Sequence, residues 1–259
     1  MKYVVYTHTD YLDITKIHSD HLFFQNSILL INKNTFELDE IYSKFSEVIF
    51  YDDNQSYAKK LIQCVSKINE EYFILMHDMD ILIDINKDKI NEITNYVINN
   101  GIDRLYLLHY PYLLDKSDDI INIDTFEKVN DNNLGSVIYR ITPEGIGDFG
   151  SHMWSGYGVN PSICKKTAMM DIWEKFPDKT YRNIEDYYVG TYAVNNYKFY
   201  IFSSNLPINT GHFSVLEYFK YIHITHYGKL LIPNEQMDSD TKKYYIDNIL
   251  YKYKFNRSF

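Results

Sequence analysis

The stretch "YFILMHDMDILI", Tyr72 to Ile83, runs apolar, delivers Asp78 and Asp80 with one Met between them, and turns apolar again. Carboxylates one residue apart at a strand end can share a hard divalent cation such as Mg²⁺ or Mn²⁺, which takes oxygen ligands and bridges to phosphates. Without a cation the two charges repel and one pKa rises. Asp-x-Asp alone is a common pattern, so its meaning depends on where the chain puts it.

Three segments argue for that place. "KYVVYTHTD" reads as a strand that turns polar at Thr7. "DEIYSKFS" has helical spacing, and "EVIFYDD" is the next strand and ends on two acids. "QSYAKKLIQCVSKINE" sets Ala58, Leu61, Ile62, Val65 and Ile68 on one helical stripe. "YFILMHDMD" is the third strand. Strand–helix–strand–helix–strand predicts a parallel sheet, and ligands of such sheets sit beyond the carboxyl ends of the strands. Thr7, His8, Thr9 and Asp10, then Asp52 and Asp53, then Asp78 and Asp80 therefore converge on one rim. Lys59 and Lys60 follow the second strand and put a cation within reach of a phosphate.

Further on, "NKDKINEITNYVINNG" reads as a helix stopped at Gly101, and "DRLYLLHYPYLL" and "SVIYRIT" as strands. Residues 115–135 read as a polar loop or edge hairpin. "GIGDFGSHMWSGYG" holds five of the ten glycines together with His152, Trp154 and Gly156, a pattern for close backbone approach to a ligand. "PSICKKTAMMDIWEKFPD" predicts a helix with Pro161 near its start. "NIEDYYVGTYAVNN" predicts another with Asn183 as N-cap. "YKFYIFSS" is a strand, "FKYIHITHYGKLL" carries His223 and His226 before a glycine turn, and residues 236–259 form a helical tail with outward lysines.

Composition bounds the rest. The chain has 259 residues and a net charge of −9, which disfavours nucleic acid as the main partner. Cys64 and Cys164 make neither a disulfide framework nor a zinc pattern. No run approaches the ~20 apolar residues of a membrane span, and the amino-terminal apolar run is short for a signal peptide, so the expectation is a cytoplasmic protein. The basic residues from Lys242 to Arg257 read as a solvated face, with peripheral contact to an anionic membrane as the other option. The 26 Tyr and 15 Phe suit sugar stacking as well as compositional bias.

Taken together, these segments resemble a GT-A fold glycosyltransferase over most of the chain. "VVYTHTDY" is similar to the first strand and nucleotide loop. "EVIFYDDNQS" is similar to the strand whose terminal acid contacts the nucleobase, which implies Asp53 or Asp52. "AKKLIQCVSKINEEYFILMHDMD" resembles the helix and strand leading to the family's Asp-x-Asp, which implies that Asp78 and Asp80 bind the metal and the donor's ribose and diphosphate. "GVNPSICKKTAMMDIWEKFPD" and "NIEDYYVGTYAVNN" resemble the acceptor half, where the Asp of a Glu-Asp pair is the base of inverting members. That implies Asp186, with Glu185 as the fallback. "HITHYGK" is similar to the segment that completes the metal site, implying His226 first, His223 second, and Lys229 near the diphosphate. The chain departs from the family in having "FPDKTYRN" where glycines usually precede the acidic pair, and in lacking an Arg beyond it.

The resemblance implies an α/β fold with a mixed, mainly parallel, Rossmann-like sheet flanked by helices. It implies a single domain: residues 1–110 as the nucleotide-sugar donor half, 111–235 as the acceptor half and 236–259 as the tail. It further implies a Mn²⁺- or Mg²⁺-dependent transfer from a nucleotide-sugar donor, UDP-linked, to a glycan or other hydroxyl acceptor. Rival readings are a retaining transferase, a sugar nucleotidyltransferase, a hydrolase built on His8, Asp10, Asp78, Asp80 and His226, and a non-catalytic binding protein.

Overall fold

The computed structural model describes residues 1–32, 39–110, 127–129, 134, 137–145, 156–203, 213–216, 218–226, 228–233, 237 and 239–259. The amino-terminal half is laid down as β1 (Lys2–Tyr6), α1 (Leu12–Asp20), β2 (Ser27–Ile31), α2 (Asp39–Tyr42), β3 (Glu47–Phe50), α3 (Tyr57–Val65), β4 (Tyr72–His77), β5 (Asp80–Ile85) and α4 (Lys87–Asn99). There follow β6 (Arg104–Tyr110), β7 (Glu127–Val129), β8 (Ile138–Arg140), β9 (Ser162–Lys165), α5 (Lys166–Lys175), α6 (Tyr187–Asn196) and β10 (Phe199–Ser203). The chain then forms β11 (Phe213–Leu216), β12 (Phe219–His223), β13 (Thr225–His226), β14 (Lys229–Leu230) and α7 (Ser239–Tyr244), and α7 runs into a π-helical turn at Tyr245–Leu250.

Nine strands make one sheet in the order β3-β2-β1-β4-β9-β6-β10-β8-β7. The block β3-β2-β1-β4 is parallel throughout. Its register pairs Tyr6 with both Leu30 and His77, and Ile31 with Phe50, so Thr7, Asn32, Tyr51 and Asp78 leave the sheet at one level. β9 runs antiparallel between β4 and β6, so the segment before it, residues 156–161, enters from that same rim. The fold is the expected mixed, mainly parallel Rossmann-like sheet with helices around it.

Three local expectations are corrected. "EVIF" is the third strand, because "SILLI" forms β2 between it and β1; all five of its residues are buried. "SICK" is β9 rather than the start of a helix, since its backbone is taken up by ladders to β4 and β6. α5 starts at Lys166 and ends before Pro177, whose ring disfavours helix at the preceding residue. α6 is capped by Asp186, not Asn183: the Asp186 carboxylate accepts from Val189 N at 2.9 Å, while Asn183 Oδ1 closes a turn onto Thr180 N. α4 follows its sequence pattern, with Asn86 as cap and Gly101 at φ +58° just beyond it.

The main core joins the sheet to α3, α4, α5 and α6. A second core gathers Ile14 and Ile17 of α1, Ile81 of β5, Ile222 and Ile224, and Tyr245, Ile249 and Tyr253 of the tail. The tail is therefore packed against the first helix as well as exposing lysines. β5 lies outside the nine-stranded sheet and belongs to a separate one, β11-β12-β5, with Ile81 and Leu82 buried, so the apolar run after Asp80 returns the chain to the interior. No helix among the described residues is long and apolar enough to cross a membrane.

Leu29, fully buried in β2, tests the added strand. Leu29→Ala is expected to lower stability by about 2–5 kcal/mol, seen as a lower urea midpoint at unchanged slope. A loss below about 1 kcal/mol would contradict a central β2.

Candidate functional site

The first rim cluster is built on the β1 end. His8 Nδ1 accepts from Asp10 N at 3.0 Å, so Nε2 carries the proton and donates to Asp53 Oδ2 at 2.9 Å. Asn32, at the end of β2, donates to the same carboxylate oxygen at 3.2 Å and accepts from Thr9 N. Lys60 Nζ reaches Asp53 Oδ1 at 2.7 Å and lies 5.1 Å from the Tyr51 ring centre. The Lys60 hydrogen bond, then that of His8, holds the Asp53 carboxyl well below the usual carboxylate range. Asp52 instead caps its own turn, accepting from Asn54 N, and Lys59 pairs with Asp178. The geometry thus separates Asp53 from Asp52 and Lys60 from Lys59.

The second cluster is the carboxylate pair. Asp78 N donates to Tyr6 O at 2.9 Å, which extends the β1–β4 ladder by one residue. Asp78 is 9% exposed and Asp80 4%. Thr7 Oγ1 lies 3.1 Å from Asp78 Oδ2 and 2.8 Å from Thr15 Oγ1, and Thr15 Oγ1 lies 2.9 Å from Tyr11 O. Burial, and then the charge of Asp80 against the Thr7 hydrogen bond, pushes the Asp78 carboxyl up to about 7. His18, lowered by burial to about 4, is neutral and donates Nε2–H to Asp78 O at 2.9 Å. His223 Nδ1 sits 2.9 Å from Asp80 Oδ1. His77 is a structural neighbour, hydrogen-bonded to the Tyr57 hydroxyl and kept neutral by burial.

Two near-buried carboxylates are oxygen donors of the kind a hard cation takes, with His223 on Asp80 and the charge of Arg257 within electrostatic reach of Asp78. Among the described residues no group of three or more His, Cys, Asp or Glu is arranged to hold a metal ion. The side chain of His226 lies outside the described residues; its backbone is in β13, paired with Lys229 of β14. His223, the second choice from sequence, is the histidine placed on Asp80.

The third cluster is the acidic pair before α6. Asp186 has both oxygens engaged: Oδ1 caps α6 at Val189 N, and Oδ2 pairs with Lys179. Glu185 turns inward. Its Oε1 accepts from Val159 N at 2.6 Å, and burial raises its pKa. Val159 belongs to the segment 156–160, which is held by Arg104 of β6. Arg104 Nη2 donates to Gly158 O at 2.6 Å and Nε to Ser162 Oγ at 2.9 Å, and its guanidinium stacks on Tyr106 and Tyr157 at 4.5 and 4.8 Å. Gly156, at φ +91°, accepts from the Tyr106 hydroxyl at 3.1 Å, so it acts here as a backbone joint. Tyr181 packs on His77 and Tyr57 and lies within electrostatic reach of Glu185, Asp78 and Asp80. His152 and Trp154 lie outside the described residues.

Sequence reasoning thus found Thr7, His8, Asp10, Asp53, Lys60, Asp78, Asp80, Glu185 and Gly156 near one rim. It missed Asn32, Thr15, His18, Arg104 and Tyr181. The first three come from the overlooked β2 and α1. Arg104, 1% exposed, carried a legible signal: a cation at the head of an apolar strand.

No protein-family model matches the chain, and no curated protein matches it. Among solved structures it is similar to S. aureus TarS 1-349 in complex with UDP-GlcNAc, with a TM-score of 0.51 at 13% identity over 89% of this chain and 60% of that one. It is similar to a UDP-glucose pyrophosphorylase complexed with UDP-glucose at a TM-score of 0.44 and 8% identity, over 79% and 91% of the two chains. A putative glucose-1-phosphate thymidylyltransferase from Bacillus anthracis matches at 0.43 and 12%, over 79% and 87%. The likeness to TarS is one of fold, and the chain spans 60% of that structure.

The Asp53 network has a pH signature. A carboxylate with a depressed folded pKa contributes stability above its unfolded value of about 3.9, and that stability is lost as pH falls through the folded pKa. Asp53→Asn is therefore expected to cost up to about 1 kcal/mol at neutral pH, the solvated rim limiting the amount, with the gap to wild type narrowing below about pH 4. Urea denaturation at both pH values reads it; a gap that widens on acidification contradicts the ion pair.

Proposed function

We propose that the chain is a metal-dependent glycosyltransferase that moves a sugar, with inversion, from a UDP-sugar donor to a hydroxyl acceptor. The observation that carries this reading is the meeting at one sheet rim of three groups: the Asp53 network, the near-buried Asp78–Asp80 pair, and a half-buried Glu185 anchored on the segment 156–160. The fold-level likeness to a UDP-GlcNAc-bound structure supports it.

In this reading Asp53, with His8 and Lys60, receives the nucleobase side of the donor. Asp78 and Asp80 hold a Mn²⁺ or Mg²⁺ ion, with His223 facing Asp80. When bound, that ion offsets the charge that builds on the departing diphosphate. Glu185 takes the proton of the attacking hydroxyl: its pKa is raised by burial, and a base works best when its pKa lies near the working pH. Asp186, assigned the role by resemblance, caps α6 and pairs with Lys179, so its part is to fix the backbone that presents Glu185.

Slow hydrolysis of UDP-GlcNAc and other UDP-sugars needs no known acceptor and is the first assay; transfer to candidate glycans follows. Glu185→Gln is expected to lower transfer by about 10²–10⁴-fold while UDP binding persists. Asp186→Asn is expected to lower it less and to reduce thermal stability. The reverse order of effects would return the base to Asp186, and a product of retained anomeric configuration would remove it. Formation of UTP and sugar 1-phosphate from UDP-sugar and pyrophosphate, without transfer, would replace the reading with a nucleotidyltransferase.

A further inference from the structure

The basic tail ends in an arginine that is not a solvated charge. Arg257 is 10% exposed in its side chain, and its partner Asp13, in the first turn of α1, is 3% exposed. The pair is bidentate: Nε to Asp13 Oδ2 at 2.9 Å and Nη2 to Asp13 Oδ1 at 2.8 Å. Nη2 also donates to Asp10 O at 2.9 Å, and Nη1 lies 3.3 Å from Gly228 O. The guanidinium stacks on Tyr11, 4.4 Å from its ring centre. Neighbouring backbone repeats the pattern, with Asn256 N on Asp13 Oδ2 at 3.2 Å and Leu230 N on Ser258 O at 2.9 Å. Gly228, at φ +77°, lies beside Tyr11: a Cβ there would sit 3.9 Å from the Tyr11 hydroxyl.

One side chain therefore ties the tail to two separate parts of the chain: the continuous segment from Asp10 to Asp13 that opens α1, and Gly228 beside β14. From Tyr11 the contacts continue through Thr15 and Thr7 to Asp78. Only a planar, forked cation can make the bidentate pair, the two carbonyl contacts and the ring stack together.

We propose that Arg257 is a positioning residue for the donor: it clamps the Thr7–Asp13 loop to the β13–β14 turn in the arrangement that receives the nucleotide diphosphate. This rests on the donor reading above. Arg257 has its donors spent on Asp13 and on carbonyls, so it acts through the loop rather than on the phosphate. A clamp of this kind removes conformational freedom that ligand binding would otherwise have to remove.

The test uses Arg257→Lys, which keeps the charge and loses the fork, and the double variant Arg257→Met/Asp13→Leu, which leaves no stranded charge. In both, the Kd for UDP with Mn²⁺ and the KM for the UDP-sugar are expected to rise about tenfold or more, as a misplaced loop demands, with kcat changing far less. Amide hydrogen exchange is expected to quicken in residues 7–13 and 226–230 together. Lower thermal stability with unchanged Kd and KM would make Arg257 a purely structural anchor and overturn the proposal. If only one of the two segments loosens, the clamp is also refuted. A wild-type chain that binds no UDP would instead sink the donor reading, and the exchange pattern alone would then decide whether the clamp exists.

Discussion

The structure turns on a carboxylate placed where its charge is costly. Asp78 leaves β4 one residue past the last ladder pair, nearly buried, with Asp80 two residues on. A chain selected for stability alone would place an apolar or amide side chain there. Its surroundings hold it in place, and hydrogen bonds and the charge of Arg257 offset part of the cost of burying it. Thr7 faces one oxygen, His18 is neutral and holds the backbone carbonyl, and His223 is spent on Asp80.

The fold makes this placement possible. Four parallel neighbours end close together, so the side chains that follow β1, β2, β3 and β4 gather on one rim. The antiparallel β9 then feeds a segment into the same rim from the other half of the chain. Arg104 fixes that segment from below through Gly158 O, and the next peptide N–H holds Glu185. The two halves of the chain are thereby joined through the sheet, as a rigid scaffold holds side chains in register.

How much of this the sequence disclosed depends on the kind of signal. β1, β3 and β4 were legible because apolar runs ended abruptly in acids and hydroxyls. β2 was not. "SILLI" is a short, uninterrupted apolar run without alternation, which periodicity cannot separate from a buried helix segment. α1 was hidden because its polar residues, Asp13, Thr15 and His18, are the ones turned towards the rim and the tail. The start of α6 shifted by three residues because Asn183 and Asp186 are equally good caps on paper, and only the fold shows that the Asp186 carboxylate takes Val189 N while the Asn183 amide oxygen takes Thr180 N. Lys60 and Asp53 could not be distinguished from Lys59 and Asp52 without the turn at residues 52–55. The tail looked solvated because its lysines are, while Arg257 reaches a carboxylate 244 residues away, beyond any local pattern.

The central claim is that Asp78 and Asp80 hold a cation that in turn holds a nucleoside diphosphate. Thermal unfolding with UDP, with and without Mn²⁺, tests it most directly. At ligand about 100-fold above Kd, binding adds about 2.7 kcal/mol, which for a chain of this size raises Tm by about 5 °C or more. The account predicts that rise for the wild type with UDP and Mn²⁺ together, a much smaller one with UDP alone, and none for Asp78→Asn. A wild type indifferent to millimolar UDP or GDP with Mn²⁺, or an Asp78→Asn variant that responds like the wild type, would contradict it.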